Sequence, residues 1–374
     1  MMCGIVGYYC PDTFSDKKIL FDMMNEISHR GPDDEGFFIS QPNHIALGHK
    51  RLSIIDIKGG KQPFLSIDEN YIIIFNGEIY NYIELRQQLI GKGYIFRTYS
   101  DTEVLLNMFI EFGSSMLNML NGIFSFAIFN KKNKQLFIAR DHFGVKPLYF
   151  YNNDSFFAFA SEIKALLIHP KVNFKVNQNK LEEYVVLQIP MGRETFYDQI
   201  YKLEPGHFMT INNGKITSEK QYWDLKYEID ETKTEEQFSR ELLLLLQNST
   251  TLQARSDVPV GTYLSGGLDS SIVSILTAKN YTNHIKTFTG GFKISKEYDE
   301  TIFAKAVAEK IKSEYHEVFP THIDFIENFE NLVYQMDEPA GGPGIFPQFM
   351  VSKLASNHVK VVLGGHGGDE LYGG

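Results

Sequence analysis

The sequence predicts two domains of different class: an α+β domain built from short strands, followed by an α/β domain built around a parallel sheet. Three observations carry this. Over roughly the first 215 residues, β-rich runs are broken by turn dipeptides and a few helical stretches. Residues 224–237 are charged and poor in large aliphatics. Beyond Phe238, strand and helix signals alternate, which is the pattern of a parallel sheet with crossover helices. A length of 374 residues accommodates two or three domains.

In chain order, residues 71–75 (Tyr-Ile-Ile-Ile-Phe) read as a strand closed by the turn dipeptide Asn76-Gly77. Ser100 is placed to cap a helix carrying Val104, Leu105, Met108 and Phe109. Strands follow at 123–129 and 135–139, and a pair at 148–151 and 155–160 flanks the polar turn Asn152-Asn153-Asp154. Ser161 is expected to cap a helix over 162–167, and 211–216 to form a last hairpin. The first domain is thus placed at 3–215, a linker at 216–237 and the second domain at 238–374. That domain opens with a leucine-rich helix from Phe238. Strands at 258–264, 285–289 and 359–363 then alternate with helices at 270–279 and 301–311.

Composition narrows the function. With 30 Phe and 20 Tyr the chain can fill sizeable cores. A net charge of −10 argues against a broad nucleic-acid-binding face. No basic leader precedes an apolar stretch, and no apolar run approaches the ~18 residues of a membrane span. Two cysteines, Cys3 and Cys10, cannot supply a disulfide framework. The expectation is a protein of the reducing cytoplasm, without membrane or nucleic-acid partners. Histidine spacing offers no metal motif such as H-E-x-x-H, and the cysteines are too few for structural zinc.

Cys3 carries the first chemical signal. A chain that began there would place a thiol beside an α-amine of pKa ~7.7–8.0, able to act as its general base. Behind it, in order, come His29-Arg30-Gly31-Pro32-Asp33, Arg51-Leu52-Ser53-Ile54-Ile55-Asp56, Asn76-Gly77-Glu78-Ile79-Tyr80-Asn81 and Ser100-Asp101-Thr102-Glu103. Together these resemble the class II glutamine amidotransferase domain, an N-terminal-nucleophile αββα sandwich. The resemblance implies that Cys3 is the nucleophile and that the Asn76 side chain and the Gly77 N–H hold the oxyanion. It places the glutamine site at Arg51, Leu52, Ile54, Asn76, Gly77, Glu78 and Asp101. Arg51 would take the substrate carboxylate, and Asp101 with Glu78 its ammonium. Arg30 and Asp33 are expected to be a buried pair bracing the Cys3 loop, and Cys10 a packed or exposed thiol without chemistry.

The second signal is Ser265-Gly266-Gly267-Leu268-Asp269-Ser270-Ser271, which follows a strand and opens a helix. Small residues at a helix N-terminus make an anion site. Neither G-x-x-x-x-G-K-[ST] nor G-x-G-x-x-G fits the loop. It resembles the pyrophosphate loop of adenylating ATP pyrophosphatases, an adenine nucleotide alpha hydrolase-like fold. That likeness implies ATP contacts at Leu264, Ser265, Gly266, Gly267, Asp269, Ser270, Gly290, Gly364 and Gly365, with Mg²⁺ on Asp269 and Asp369.

The two domains in this order resemble glutamine-dependent asparagine synthetases. So do the runs at 140–149 and 367–374. The resemblance implies substrates glutamine, aspartate and ATP, a β-aspartyl-AMP intermediate, and an ammonia tunnel whose wall includes Ile123 and Val145; a homodimer is a further expectation. Alternatives are an amidotransferase-fused enzyme adenylating another carboxylate, or a relic confined to glutaminase activity or to no catalysis. Three departures stand out. Met1 precedes the usual Met-Cys start. Gly364-Gly365-His366 replaces the family's Ser-Gly-Glu, which leaves His366 to serve in adenylate formation. Relatives continue past Gly374 into a helical portion, so 238–374 is expected to be an incomplete synthetase domain.

Overall fold

The apolar run at 71–75 has no polar alternation because both of its faces are covered, and that sets the architecture of the first unit. The computed structural model describes residues 2–11, 15–153, 156–281, 284–293, 299–338 and 340–372. It divides into two units, Met1–Lys226 with Met336–Gly341, and Tyr227–Gln335 with Gly342–Gly374.

The first unit runs β1 (Gly4–Tyr9), α1 (Lys17–Glu26), β2 (Asp34–Ser40), β3 (Ile45–Arg51), β4 (Phe64–Leu65), β5 (Tyr71–Ile79), α2 (Tyr82–Gly91) and α3 (Asp101–Phe112). It continues through β6 (Gly122–Asn130), β7 (Gln135–Arg140), β8 (Tyr149–Asn153), β9 (Phe156–Ala160), α4 (Ile163–Leu167), α5 (Gln178–Leu187), β10 (Ile200–Lys202), β11 (His207–Asn212) and β12 (Lys215–Gln221). Two six-stranded antiparallel sheets result, ordered β10-β8-β9-β1-β3-β2 and β12-β11-β7-β6-β5-β4. Ile5, Leu47, Ile72, Ile74, Phe129 and Ile138 pack between the sheets. Alternate residues face outward: Val6 and Tyr8 meet Leu20, Met24 and Ile163, while Ile73 and Phe75 meet Leu89, Val104 and Leu105. Helix, sheet, sheet, helix is the αββα sandwich.

Several local expectations are corrected. Asn76-Gly77 is not a turn. Strand β5 runs on to Ile79, with Asn76 opposite Ser125 and Gly77 opposite Phe124, because pairing with β6 outweighs the local turn preference. Ser161 does not cap α4; its Oγ accepts from Ile5 N at 3.0 Å, and Glu162 occupies the cap position with no side-chain cap bond. Residues 216–221, expected as linker, form β12, the second arm of the hairpin with β11. Strands β1 to β3 escaped sequence reading because Gly48, His49, Lys50 and Arg51 give β3 a polar look, yet all seven of its positions are buried. Ser100 does cap α3, accepting from Thr102 N at 3.1 Å. Asp154 and Ser155, at the 148–160 hairpin, lie outside the described residues.

The second unit comprises α6 (Glu235–Gln253), β13 (Val260–Tyr263), α7 (Leu268–Asn280), β14 (Lys286–Gly290), α8 (Thr301–Ile311), β15 (Glu314–Val318), α9 (His322–Met336), α10 (Ile345–Ser356), β16 (Val361–Leu363) and α11 (Gly368–Tyr372). Its four strands are parallel, ordered β15-β14-β13-β16. Leu264 packs on Ala304 and Ala308 of α8, and Phe288 packs on Val351, Ala355 and Val359 at α10. Helix α6 starts three residues before Phe238, where Thr234 and Gln237 form a reciprocal capping box.

Candidate active sites

In the first unit Cys3 stands just before β1, and the 52–57 loop after β3 closes over it. Its Sγ lies 3.3 Å from Leu52 N and 3.5 Å from Leu52 O, so the backbone N–H donates to the sulfur and the thiol donates to the carbonyl. Burial pushes the thiol up; the Leu52 N–H and the cations Lys146 and Arg51 act the other way. Arg30 Nε donates to Cys3 O at 2.9 Å. Asp33 accepts from Ser53 N at 2.7 Å. Arg30 and Asp33 therefore brace the site separately rather than as a pair: Arg30 meets Glu162 instead, at 2.8 Å.

Strand β5 delivers Asn76, Gly77 and Glu78 side by side. Asn76 is fully buried; its Nδ2 reaches Ser125 Oγ only at 3.5 Å, and its Oδ1 has no hydrogen-bond partner among the described residues. At Gly77 any Cβ would run into Ile123 O and come within 2.7 Å of Phe124 Cα, so the β5–β6 approach requires glycine. Glu78 is buried with Oε1 unpartnered, and burial together with Asp101 raises it to about 8. Asp101, at the first turn of α3, accepts from Ile79 N at 3.1 Å, and burial lifts it to about 6. Two buried carboxyls that resist ionising side by side make an environment that favours a cation.

Arg51 is tied in part to its own loop. Nη1 donates to Ile57 O at 3.0 Å, and Nη2 to Asp56 O at 2.8 Å and Ile55 O at 3.3 Å. Three of its five N–H donors thus hold the 55–57 loop. Leu52 touches the thiol directly, whereas Ile54 is partly exposed. Cys10 is buried with Lys171 Nζ 2.9 Å from its sulfur, and Val145 is 50% exposed.

In the second unit the strand ends bring the loop residues together. Thr289 Oγ1 on β14 donates to Leu264 O at 2.5 Å. Ser265 Oγ lies 2.9 Å from Ser270 Oγ and accepts from Gly267 N at 3.3 Å. Gly266 takes φ +91°, and a Cβ there would meet Ala304 N at 2.7 Å. Gly290 ends β14, and Gly364-Gly365 follow β16, on the two neighbours of β13. A Cβ at Gly365 would come 2.8 Å from Asp269 Cβ, and one at Gly368 would strike the Asp269 carboxylate. Asp269 therefore faces the turn that leads into Asp369, which like His366 is exposed. Backbone amides at the start of α7, hydroxyls and an acid at the carboxyl ends of parallel strands suit a nucleotide triphosphate with a hard cation.

The Glutamine amidotransferase domain family matches residues 2–223 and the Asparagine synthase family residues 241–374. Asparagine synthetase [glutamine-hydrolyzing] 1 of Bacillus subtilis is 38% identical over the whole chain, which spans 59% of that protein. A Methanocaldococcus jannaschii protein named "Putative asparagine synthetase [glutamine-hydrolyzing] 2" is 36% identical, again over the whole chain and over 75% of its own length. The chain belongs to the glutamine-hydrolysing asparagine synthetase family. A third relative, asparagine synthetase [glutamine-hydrolyzing] 3 of Bacillus subtilis, is 32% identical and is spanned to 63%.

Two groups in this synthetase-family chain escaped the sequence reading. Lys146 is buried, its Nζ 2.7 Å from Met2 Sδ; burial and Arg30 push it down to about 8. It is delivered by Asp141, whose carboxylate accepts from Phe124, Phe143, Val145 and Lys146 backbone N–H groups at 2.9–3.2 Å. Glu162 gathers His29, Arg30 and Lys164 at 2.7–2.9 Å. The signal for Lys146 lies in the Arg140-to-Tyr149 run, whose likeness to the family extends over it.

Proposed function

We propose that the first unit hydrolyses glutamine at Cys3. The second would activate the side-chain carboxylate of aspartate with ATP, so that the released ammonia yields asparagine, glutamate, AMP and pyrophosphate. One observation carries the reading most: a thiol held by Leu52 in the field of Lys146 and Asp101, the two charges that also act on the buried, under-partnered Glu78, which shares strand β5 with the equally under-partnered Asn76.

In this reading Cys3 Sγ attacks the amide carbon, and the tetrahedral oxyanion takes hydrogen bonds from Asn76 Nδ2 and Gly77 N–H. Once Met1 and Met2 are removed, the Cys3 α-amine accepts the thiol proton and passes it to the departing ammonia. Glu78 and Asp101 ionise as they receive the glutamine ammonium. Lys146 and Arg51 favour the thiolate. In the second unit the Ser265–Ser270 amides and hydroxyls would hold the phosphates, Asp269 with Asp369 would hold Mg²⁺, and His366 would accept a proton near the adenylate. ATP supplies the adenylyl group that makes the carboxylate reactive. A thiol nucleophile fits a reducing cytoplasm, and no described helix is long and apolar enough to cross a membrane.

Glutamate release and aspartate-dependent pyrophosphate release, measured on one sample, test both halves. Cys3→Ala should abolish the first and leave the second when ammonia is supplied. Retained glutamine hydrolysis in that variant, or Met2 still present on the active wild-type species, would overturn the thiol assignment.

A further inference from the structure

Three residues that share no sequence motif meet on one face of the parallel sheet in the second unit. Glu314 and His316 stand two apart on β15 and so point to the same side. In the register Lys286↔Glu314 and Phe288↔His316, the matching residues of β14 share that side. Helix α10 covers this face through Val351 and Ala355 against Phe288. Its C-terminal turn ends with His358, whose N–H donates to Ala355 O at 2.9 Å. The His358 ring lies 3.9 Å, centroid to centroid, from that of His316, and Phe288 flanks both at 5.4–5.8 Å. His316 Nε2 sits 3.0 Å from Glu314 Oε1.

We propose that Glu314, His316 and His358 form a binding site for a borderline divalent transition ion, of the zinc or nickel class. One ligand atom from each lies within 4.8 Å of the others. Two imidazole nitrogens on a tetrahedral ion at ~2.0–2.1 Å stand about 3.3 Å apart, so side-chain rotation by roughly an ångström closes the set. Glu314 is half exposed and both imidazoles reach solvent, which leaves that rotation free. An imidazole with a pKa near its ordinary ~6.5 is mostly neutral at neutral pH, which leaves a ring nitrogen lone pair for an ion. Two nitrogens and one carboxylate select zinc or nickel over magnesium. The site also lies away from the nucleotide loop. Glu314 and Lys286 begin their strands, while Ser265–Ser270 follows the end of a strand parallel to them.

One group opposes the ion. Lys286 Nζ lies 3.3 Å from both Glu314 oxygens and competes for the carboxylate. That competition supplies a test that mere surface adsorption would not pass. Zinc chloride is titrated into the full chain, with both thiols alkylated, against a chromophoric chelator. The wild type should take up one equivalent that millimolar magnesium does not displace. The double variant His316→Asn, His358→Asn, which removes two of the three ligands, should lose more than the roughly 100-fold that loss of an outer-shell partner can cost. Lys286→Met, which keeps all three ligands and frees Glu314, should bind several-fold more tightly. Zinc affinity unchanged in the double variant, or weakened in Lys286→Met, would overturn the assignment, as would no uptake by the wild type. Zinc K-edge absorption showing fewer than two imidazoles on the bound ion would do the same.

Discussion

Replacing Glu162 by Gln tests the ionic brace behind Cys3. Burial alone would raise this carboxyl, but His29, Arg30 and Lys164 outweigh it and hold it at about 2 against an ordinary 4.5. At 1.36 kcal/mol per pH unit that gap corresponds to about 3 kcal/mol of folding free energy. Glu162 is 6% exposed, so solvent screening takes little from it. The folded-state value is depressed, so this stability is fully present above pH 4.5 and is lost as the pH falls toward 2. Gln keeps the shape but leaves Arg30 buried without its counter-charge, a change that costs about 3–5 kcal/mol in buried pairs. Lys164 retains Asp337 at 2.8 Å, which favours the lower end. Trp223, the single tryptophan, packs on His142 and Phe143 and so reports unfolding of the first unit alone. Denaturant titrations followed by its fluorescence near pH 7 should show a loss of about 3 kcal/mol. The difference should shrink below pH 4.5. Because Arg30 also holds Cys3 O, kcat for glutamine should fall more than KM rises. Stabilities within about 1 kcal/mol of each other at neutral pH, or a gap that persists in acid, would refute the reasoning.

Three further outcomes follow from the same geometry. Gly77→Ala should lower glutamine hydrolysis by about 100-fold or more, since a Cβ meets backbone at Ile123 and Phe124 that cannot yield; near-wild-type turnover would show that β5 and β6 can separate. With Glu78 at about 8 and Asp101 at about 6, ammonium binding needs protons removed, so kcat/KM for glutamine should climb between pH 6 and 8. Glu78→Gln should erase the upper part of that rise, and a wild-type profile flat across this range would contradict it. Asp269→Ala should abolish ATP–Mg²⁺ binding in a calorimetric titration while glutaminase turnover stays intact; unchanged nucleotide affinity would count against the loop.

Residues that act through local pattern were legible in the linear chain. The continuous apolar run at 71–75 and the Ser-Gly-Gly-x-Asp-Ser loop each declare themselves within a dozen residues, and the strand–helix alternation after 238 is a succession of such short signals. Short-range chemistry is enough for them: backbone propensity, capping and the amide cluster of a helix start. The order of motifs behind Cys3 likewise carries the family, because each motif brings its site residues in one short run.

What only the tertiary structure decided are pairings across long chain separations. Asn76-Gly77 reads as a turn until β6 offers it a ladder partner. Arg30 looks as if it should meet Asp33, three residues on, but finds Glu162 instead, because β1 and β9 pair and bring α4 beside the Cys3 loop. Lys146 meets Met2 and bears electrostatically on Cys3 only because Asp141 folds its own loop back through four backbone N–H groups. His316 and His358 stand 42 residues apart in the chain and 3.9 Å apart in space. A sequence records which side chains exist and what each prefers locally. Which charges and rings share one dry or half-dry volume is set by sheet register and helix packing, and those are properties of the whole fold.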